Sequence, residues 1–337
     1  MSIDTEEDNW EPRRGPVTLE NIRELPRHHA FLRRLGARPT YFTAYRVLGE
    51  PWAAATIRAL HDDGATEIGA HLHPWNTPPL AHDEGPGSTM LKNLSPAVQL
   101  AKLEQVTAAL TETLGTRPTA FRAGRYGLDG TTVRPLVGCG YRVDSSVTPY
   151  INWEDTDGGS NYVGAPLDAY RIAPERDVRT PAPAGPLLEV PLSVGYTRAG
   201  FETRDALRRR FEGRPWSSLH LAGIAWRTGL VRRVVLSAEA TGVADMLALS
   251  RRLLERGIRH LHLTWHSPSL RPGLSPFVVT ARDRDRLYGT IQSYVEGIDR
   301  LATVRFATVS EAGAILDPGV GTEAAIAAPT DAGPPSA

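Results

Sequence analysis

Short apolar runs of β type alternate with longer stretches of helical period along most of the chain, and this order leaves few architectures open. Strands joined by helices pair in parallel, because a helical crossover brings the chain back to the same end of the sheet. Seven or eight such strands predict a distorted (β/α) barrel, with reactive groups at the carboxyl ends of its strands. Nine runs have strand character, of which seven or eight would make the barrel: Met1 to Asp4, Thr40 to Tyr45, Glu67 to His73, Thr119 to Ala123, Tyr141 to Asp144, Leu187 to Val194, Val234 to Leu236, His260 to Trp265 and Val304 to Ala307. Helical pattern covers Leu19 to Leu35, interrupted at Pro26, then Ala53 to Leu60, Thr131 to Val137, Thr203 to Phe211 and Val243 to Arg256. Ser95 and Pro96 form an N-cap and first turn, followed by a stripe of Leu100, Leu103, Val106, Leu110 and Leu114 that Gly115 stops. A last helical stripe is Leu287, Ile291, Tyr294, Ile298 and Leu301. Trp216 to Val231 shows no clear period.

A chain of 337 residues, 41% of them hydrophobic, is long enough for one large core, so residues 1–315 read as one domain. Residues 316–337 are rich in Ala, Pro and Gly without period and read as a disordered tail. Lys plus Arg equals Asp plus Glu at 38 each, which leaves no global field to draw nucleic acid or an anionic membrane. The arginine clusters at 208–210, 232–233 and 251–252 read as solvated helix faces. The single cysteine, Cys139, lies in an apolar run and excludes an internal disulfide. No stretch has the length of a membrane span or the pattern of a signal peptide, so the chain as given reads as cytoplasmic. Its first strand is a stub, which predicts a native start further upstream.

Four strand ends carry candidate chemistry. In SIDTEEDNW, Asp4 and Glu6 share a parity and can face the same way, although an acidic run at an N-terminus is ordinarily just solvated. In TEIGAHLHPWNTPP, His71 and His73 fall on one face of a strand that Pro74 must end, and two imidazoles so placed suit a transition metal, usually zinc. In FRAGRYG, Arg122 follows a strand and Arg125 lies in the turn, where an arginine either bridges loops or holds a carboxylate ionised. In HLHLTWHSP, His266 is the outermost of three histidines on one parity, while His260 and His262 suit packing or hydrogen bonding. The long loops Asn76 to Asn93 and 147–165 are candidate walls or lids. Of the second loop's aromatics, Tyr150, Trp153 and Tyr162 are large enough to stack on a sugar or to pack on the barrel.

Taken together, SIDTE, EIGAHLHP, FRAGRYG, GYRVDSS and LTWHSPSL resemble the polysaccharide deacetylase (NodB-homology) family, in order and spacing over roughly residues 1–315. The resemblance implies one divalent metal, Asp4 as base, Glu6, His71 and His73 as ligands, Arg122 supporting Asp4, and His266 as general acid. Trp75, Arg125, Tyr150 and Trp153 are then candidate substrate contacts. The sequence departs from the family in three places. Position 75, where the family's second metal histidine stands, is Trp, leaving His73 or His82 for that role. Thr5 separates acids that are usually adjacent, and Ala123 replaces the proline after the arginine.

The implied reaction is metal-assisted removal of N- or O-acetyl groups from a sugar. Zinc is the expected ion, an acetylated sugar or polysaccharide precursor the expected partner, and water activated at the metal the attacking group. Two other readings share these residues: a metal hydrolase of a non-carbohydrate C–N bond on the same fold, and a carbohydrate-binding protein with a degenerate site.

Overall fold

The computed structural model describes residues 1–317 apart from 9–16, 81–84, 86, 213–226 and 228. Among the described residues ten strands are formed: β1 Ser2–Thr5, β2 Thr40–Ala44, β3 Glu67–Leu72, β4 Ala120–Ala123, β5 Val143–Asp144, β6 Tyr170–Ile172, β7 Leu187–Glu189, β8 Val194–Tyr196, β9 Arg233–Val235 and β10 Thr264–His266. Eight of them make one sheet in the order β10-β1-β2-β3-β4-β5-β7-β6, and β8 with β9 forms a separate antiparallel pair. Every neighbour in the large sheet is parallel except β6, which runs antiparallel to β7. This is the distorted, open (β/α) barrel, with seven parallel strands and one antiparallel edge.

Alternation along the strands divides the sheet's two faces. Inside, Phe42, Ala120, Val143, Leu188 and Val190 form a fully apolar plug together with Val309. Above the plug comes a polar layer, in which the Arg122 guanidinium lies 4.3 Å over the Phe42 ring. Outside, Ile3, Tyr41, Ile68, Ala70 and Phe121 meet the helices in the main core. The plug explains why the reactive groups collect at one end: polar side chains below it would have neither water nor partners.

Several helices follow their predicted logic. Ser95 caps Pro96–Leu114 by accepting from the Val98 N–H, and Gly115 ends it at φ 74°. Leu103, Val106, Leu110 and Leu114 are buried as expected, but Leu100 is exposed. The stripe Leu287, Ile291, Tyr294 and Ile298 is buried along Ala281–Asp299. Pro26 does not interrupt a helix; it opens Leu25–Arg34 in the first turn, where its missing N–H is not needed, after a 3-10 turn Glu20–Glu24. Arg208 is no solvated cation but is buried between Asp205, Glu212 and the Tyr196 hydroxyl. Trp216 to Val231 lies largely outside the described residues.

Three strand expectations are corrected. The run Leu187 to Val194 breaks around Pro191, which cannot donate to a ladder, into β7 and β8 of different sheets. Only Thr264–His266 of the run from His260 pairs as a strand; His260 instead bonds Asp168 and the Pro191 carbonyl. Val304 to Ala307 forms no strand. Thr308 next to it starts the helix Val309–Leu316 through a capping box with Glu311, and that helix closes the plug from below. Asp317, two residues past the expected boundary at 315, pairs with Arg171, and the rest of the tail lies outside the described residues. No helix among the described residues is long and apolar enough to cross a membrane.

One feature of the outer face governs stability. Asp144 and Glu189 are register partners on β5 and β7 and both are buried. Burial raises the pKa of each, and at Glu189 the Asp144 charge raises it further. A group whose folded pKa is raised stabilises fully below its unfolded pKa and loses that contribution as pH climbs through the folded value. Glu189→Gln keeps an oxygen for the Val147 N–H, which Glu189 Oε1 accepts at 3.1 Å, and offers a donor to Asp144. The variant is expected to match or exceed the wild-type Tm at pH 8 by about 1–2 °C, about 1 kcal/mol, while gaining nothing at pH 5. Thermal melts at the two pH values check this; an equal loss at both would show that the shared proton is not what destabilises the pair.

Candidate metal-dependent active site

The carboxyl ends of β1, β3, β4 and β10 are neighbours, and they bring four of the sequence motifs to one place. The strand Glu67–Leu72 stops before Pro74 as expected, with His71 its fifth residue and His73 just beyond it. The Nε2 atoms of His71 and His73 are 3.0 Å apart, and Glu6 Oε2 lies 3.6 Å from the first and 3.0 Å from the second. These three donors all fall within 4.8 Å of one another and are buried or nearly so. His82, the alternative ligand, lies outside the described residues.

The hydrogen bonds behind the ligands decide what the three donors fit. His71 Nδ1 faces the Arg122 carbonyl at 3.0 Å, an acceptor, so Nδ1 carries the proton. His73 Nδ1 faces Glu7 Oε1 at 3.2 Å and is protonated for the same reason. In the neutral rings both Nε2 lone pairs then point at each other and at a carboxylate oxygen, an arrangement that suits a cation and little else. Without one, His73 holds a proton tightly: burial opposes its charge, but Glu7 and Glu6 outweigh that and lift its pKa to about 10. Two imidazoles and one carboxylate match zinc and other borderline first-row ions alike.

Asp4 and His266 flank the three donors. Arg122 is wholly buried, and its guanidinium donates to Asp4 Oδ1 at 2.5 Å, Ser2 Oγ at 2.9 Å, Ser145 O at 2.9 Å and Thr264 Oγ1 at 3.2 Å. Burial alone would raise the Asp4 pKa; Arg122, with His71 and His266, holds it below the usual value. Asp4 Oδ2 faces His266 Nε2 at 3.7 Å. Behind His266, the ring Nδ1 is 2.6 Å from Glu239 Oε1, a carboxylate that also accepts from Ser269 Oγ. Burial works against the imidazolium, yet Glu239 outweighs it and the pKa rises to about 10. His262 takes the bonding role expected of it, with Nε2 2.8 Å from Ser2 Oγ, and burial beside Arg122 keeps it neutral.

The expected substrate contacts are placed less uniformly. Trp75 is at the site, but its ring stacks on His73 with centroids 4.3 Å apart, and the Arg125 guanidinium lies 5.2 Å over it. Neither face is left for a sugar. Arg125 has φ 52° and bridges loops, bonding Asp157 at 3.0 Å and Thr89 at 3.2 Å. Tyr150 is buried, edge-on to Tyr196 and Phe201, with its hydroxyl on Glu202, so the structure does not bring it to the metal donors. Tyr162 is buried too and donates to the Tyr126 carbonyl. Trp153 is half-buried and stacks on Tyr126 at 5.6 Å, with the indole N–H on Thr148.

Sequence reasoning missed Glu7, Asn76 and Glu239. Glu7 was hidden by the parity rule, which selected residues two apart from Asp4. Glu239 follows β9 by four positions, and the rule that reactive groups sit past strand ends points to it once that strand is placed.

No family model and no curated protein matches the sequence. Solved structures do match in fold. A candidate polysaccharide deacetylase from Mycobacterium smegmatis superposes with a TM-score of 0.53 at 16% identity, over 94% of this chain and 88% of that one. A deacetylase solved with substrate gives 0.41 at 11% identity over 93% and 88%. The Xyl-CE4 domain of a multidomain xylanase from the hindgut metagenome of Trinervitermes trinervoides gives 0.42 at 11% identity over 92% and 86%. The first of these fixes the architecture: the chain has the fold of that polysaccharide deacetylase.

Proposed function

We propose that the protein is a metal-dependent hydrolase that removes acetyl groups from N- or O-acetylated sugars. The observation that carries this reading is the convergence of Glu6, His71 and His73 beside two separately paired groups, Asp4 held by Arg122 and His266 held by Glu239. When bound, a divalent ion supplies Lewis-acid activation of the acetyl carbonyl and of the attacking water. Asp4 Oδ2 takes the proton that water loses, while Arg122 keeps Oδ1 and fixes the carboxylate's aim. His266, its Nδ1 proton held by Glu239, gives the Nε2 proton to the departing nitrogen or oxygen as the acyl bond breaks. Acetate and the free amine or alcohol are the products. Each proton transfer is worth about 100-fold to 10,000-fold in rate.

Elemental analysis of protein purified without chelator is expected to show about one equivalent of divalent metal, and the loaded protein is expected to release acetate from acetylated oligosaccharides. His73→Ala is expected to lose the metal and the activity together. Full metal retention in that variant would place the ion elsewhere. Bound metal with hydrolysis only of non-sugar amides would assign the other substrate class, and sugar binding without metal or acetate release would make the chain a binding protein.

A further inference from the structure

The outer side of His73 faces a second carboxylate, Glu7. Glu7 Oε1 accepts three bonds at once: from His73 Nδ1 at 3.2 Å, Trp75 Nε1 at 3.1 Å and Asn76 Nδ2 at 2.8 Å. Its second oxygen, Oε2, is buried with no hydrogen-bond partner among the described residues. A buried carboxylate left half-paired is costly, so a site assembled for stability alone has no use for that charge. The charge does have a use behind an imidazole ligand, where it fixes the tautomer and strengthens the donor.

The same indole that shares Glu7 Oε1 with His73 also covers the His73 ring, nearly parallel at 24°. Arg125 lies on the indole's other face. Arg125 is in turn held by Asp157 and Thr89, and the Thr89 hydroxyl donates to the same Asp157 oxygen. Asn93 completes the knot by donating to the carbonyls of Gly87 and Asp157. Three non-glycine residues of this knot and its turn, Arg125, Tyr126 and Asp157, sit at positive φ. Such backbone is strained and persists only where surrounding contacts over-determine it. The stack His73, Trp75, Arg125 thus runs unbroken from a metal donor to the place where the three loops after β3, β4 and β5 are tied together.

We infer that Glu7, Trp75 and Arg125 form a clamp on His73, so that the Arg125–Asp157 pair closing the loops also sets how tightly the metal is held. Trp75 is a positioning residue in this scheme: its N–H holds the carboxylate on His73 and its face holds the ring's tilt. The inference rests on the metal reading above and assigns to the loop aromatic a role in ligand control instead of sugar contact.

The test is a Zn²⁺ dissociation constant, measured on full-length protein by competition with a chromogenic chelator, alongside a thermal melt of the metal-free protein. Glu7→Gln is expected to weaken Zn²⁺ about 10-fold to 100-fold while the metal-free Tm holds or rises. Trp75→Phe, which keeps the stack but removes the N–H, is expected to weaken binding several-fold and to add little on top of Glu7→Gln, because both act through one oxygen. Asp157→Asn, which touches no ligand, is expected to weaken it several-fold, and Arg125→Lys to restore most of what Arg125→Met loses. A lower Tm with unchanged Zn²⁺ affinity in Glu7→Gln and Asp157→Asn would make the cluster structural only and overturn the clamp. Wild-type protein that binds no Zn²⁺ would overturn the metal reading itself, and the clamp with it.

Discussion

His266→Ala is expected to retain its metal equivalent and to lose about 100-fold or more in turnover. A ligand variant loses metal and activity together, whereas a general acid loses activity alone. The structure separates the two cases: Glu6, His71 and His73 supply the grouped donors, while His266 Nε2 faces Asp4 and its Nδ1 is bound to Glu239. The loss is expected to be largest on substrates whose leaving group most needs a proton, so amides suffer more than esters. Glu239→Gln gives a graded version of the same experiment. The Glu239 carboxylate is what lifts His266 to about 10 against burial, so removing its charge lowers that pKa and moves the basic limb of the rate profile to lower pH. Metal loss in His266→Ala would make it a ligand. An unmoved basic limb in Glu239→Gln would detach that carboxylate from the chemistry.

Arg122→Met is expected to cost both stability and rate. The guanidinium is fully buried and is the main positive charge facing Asp4, which is itself only 2% exposed. Removing one partner of a buried pair leaves the other uncompensated, at about 3–5 kcal/mol. For a chain of this size that corresponds to a Tm loss of roughly 4–7 °C. The pH dependence follows from the depressed Asp4 pKa: its stabilising contribution is present above the unfolded carboxylate value and disappears as pH falls through the folded one. Without Arg122, burial dominates and pushes the Asp4 pKa up, so the base is protonated over more of the working range and the acid limb of the rate profile moves to higher pH. Calorimetry with a pH–rate profile checks both parts. A variant as stable as wild type with an unmoved acid limb would remove Arg122 from its supporting role.

What could be read from sequence followed from rules local to one strand. Period 2 and Pro74 place His71 and His73 together, and the same parity argument finds Asp4, Glu6 and His266. Those arguments fail where a partner decides the outcome. Val304 to Ala307 has strand composition, but the segment 259–263 lies against 191–193 through His262 N to Ser193 Oγ and His260 Nε2 to the Pro191 carbonyl, and Ser237 bridges to Thr264. Composition says nothing about which edge is already filled. Trp75 and Tyr150 show a related limit: an aromatic in a polar loop looks available for stacking until one knows what covers its faces. Glu239 was passed over although its strand was placed, because that strand pairs with β8 in the small sheet and only the fold brings its end beside His266.

The register of β1 carries an implication for synthesis. Ser2 pairs with Thr264 on one side and with Thr40 on the other, so the first strand gains one neighbour early and the second only near the end of translation. Glu6, His71 and His73 emerge together with β2 and β3, while Glu239 and His266 follow much later in the chain. At ordinary elongation rates the interval between His73 and His266 is roughly 10–40 s. During it the growing polypeptide already holds the three groups that would take the ion but lacks the acid, and β1 keeps a bare edge. The three groups that could take an ion are thus made well before His266, in the order of the genetic message itself.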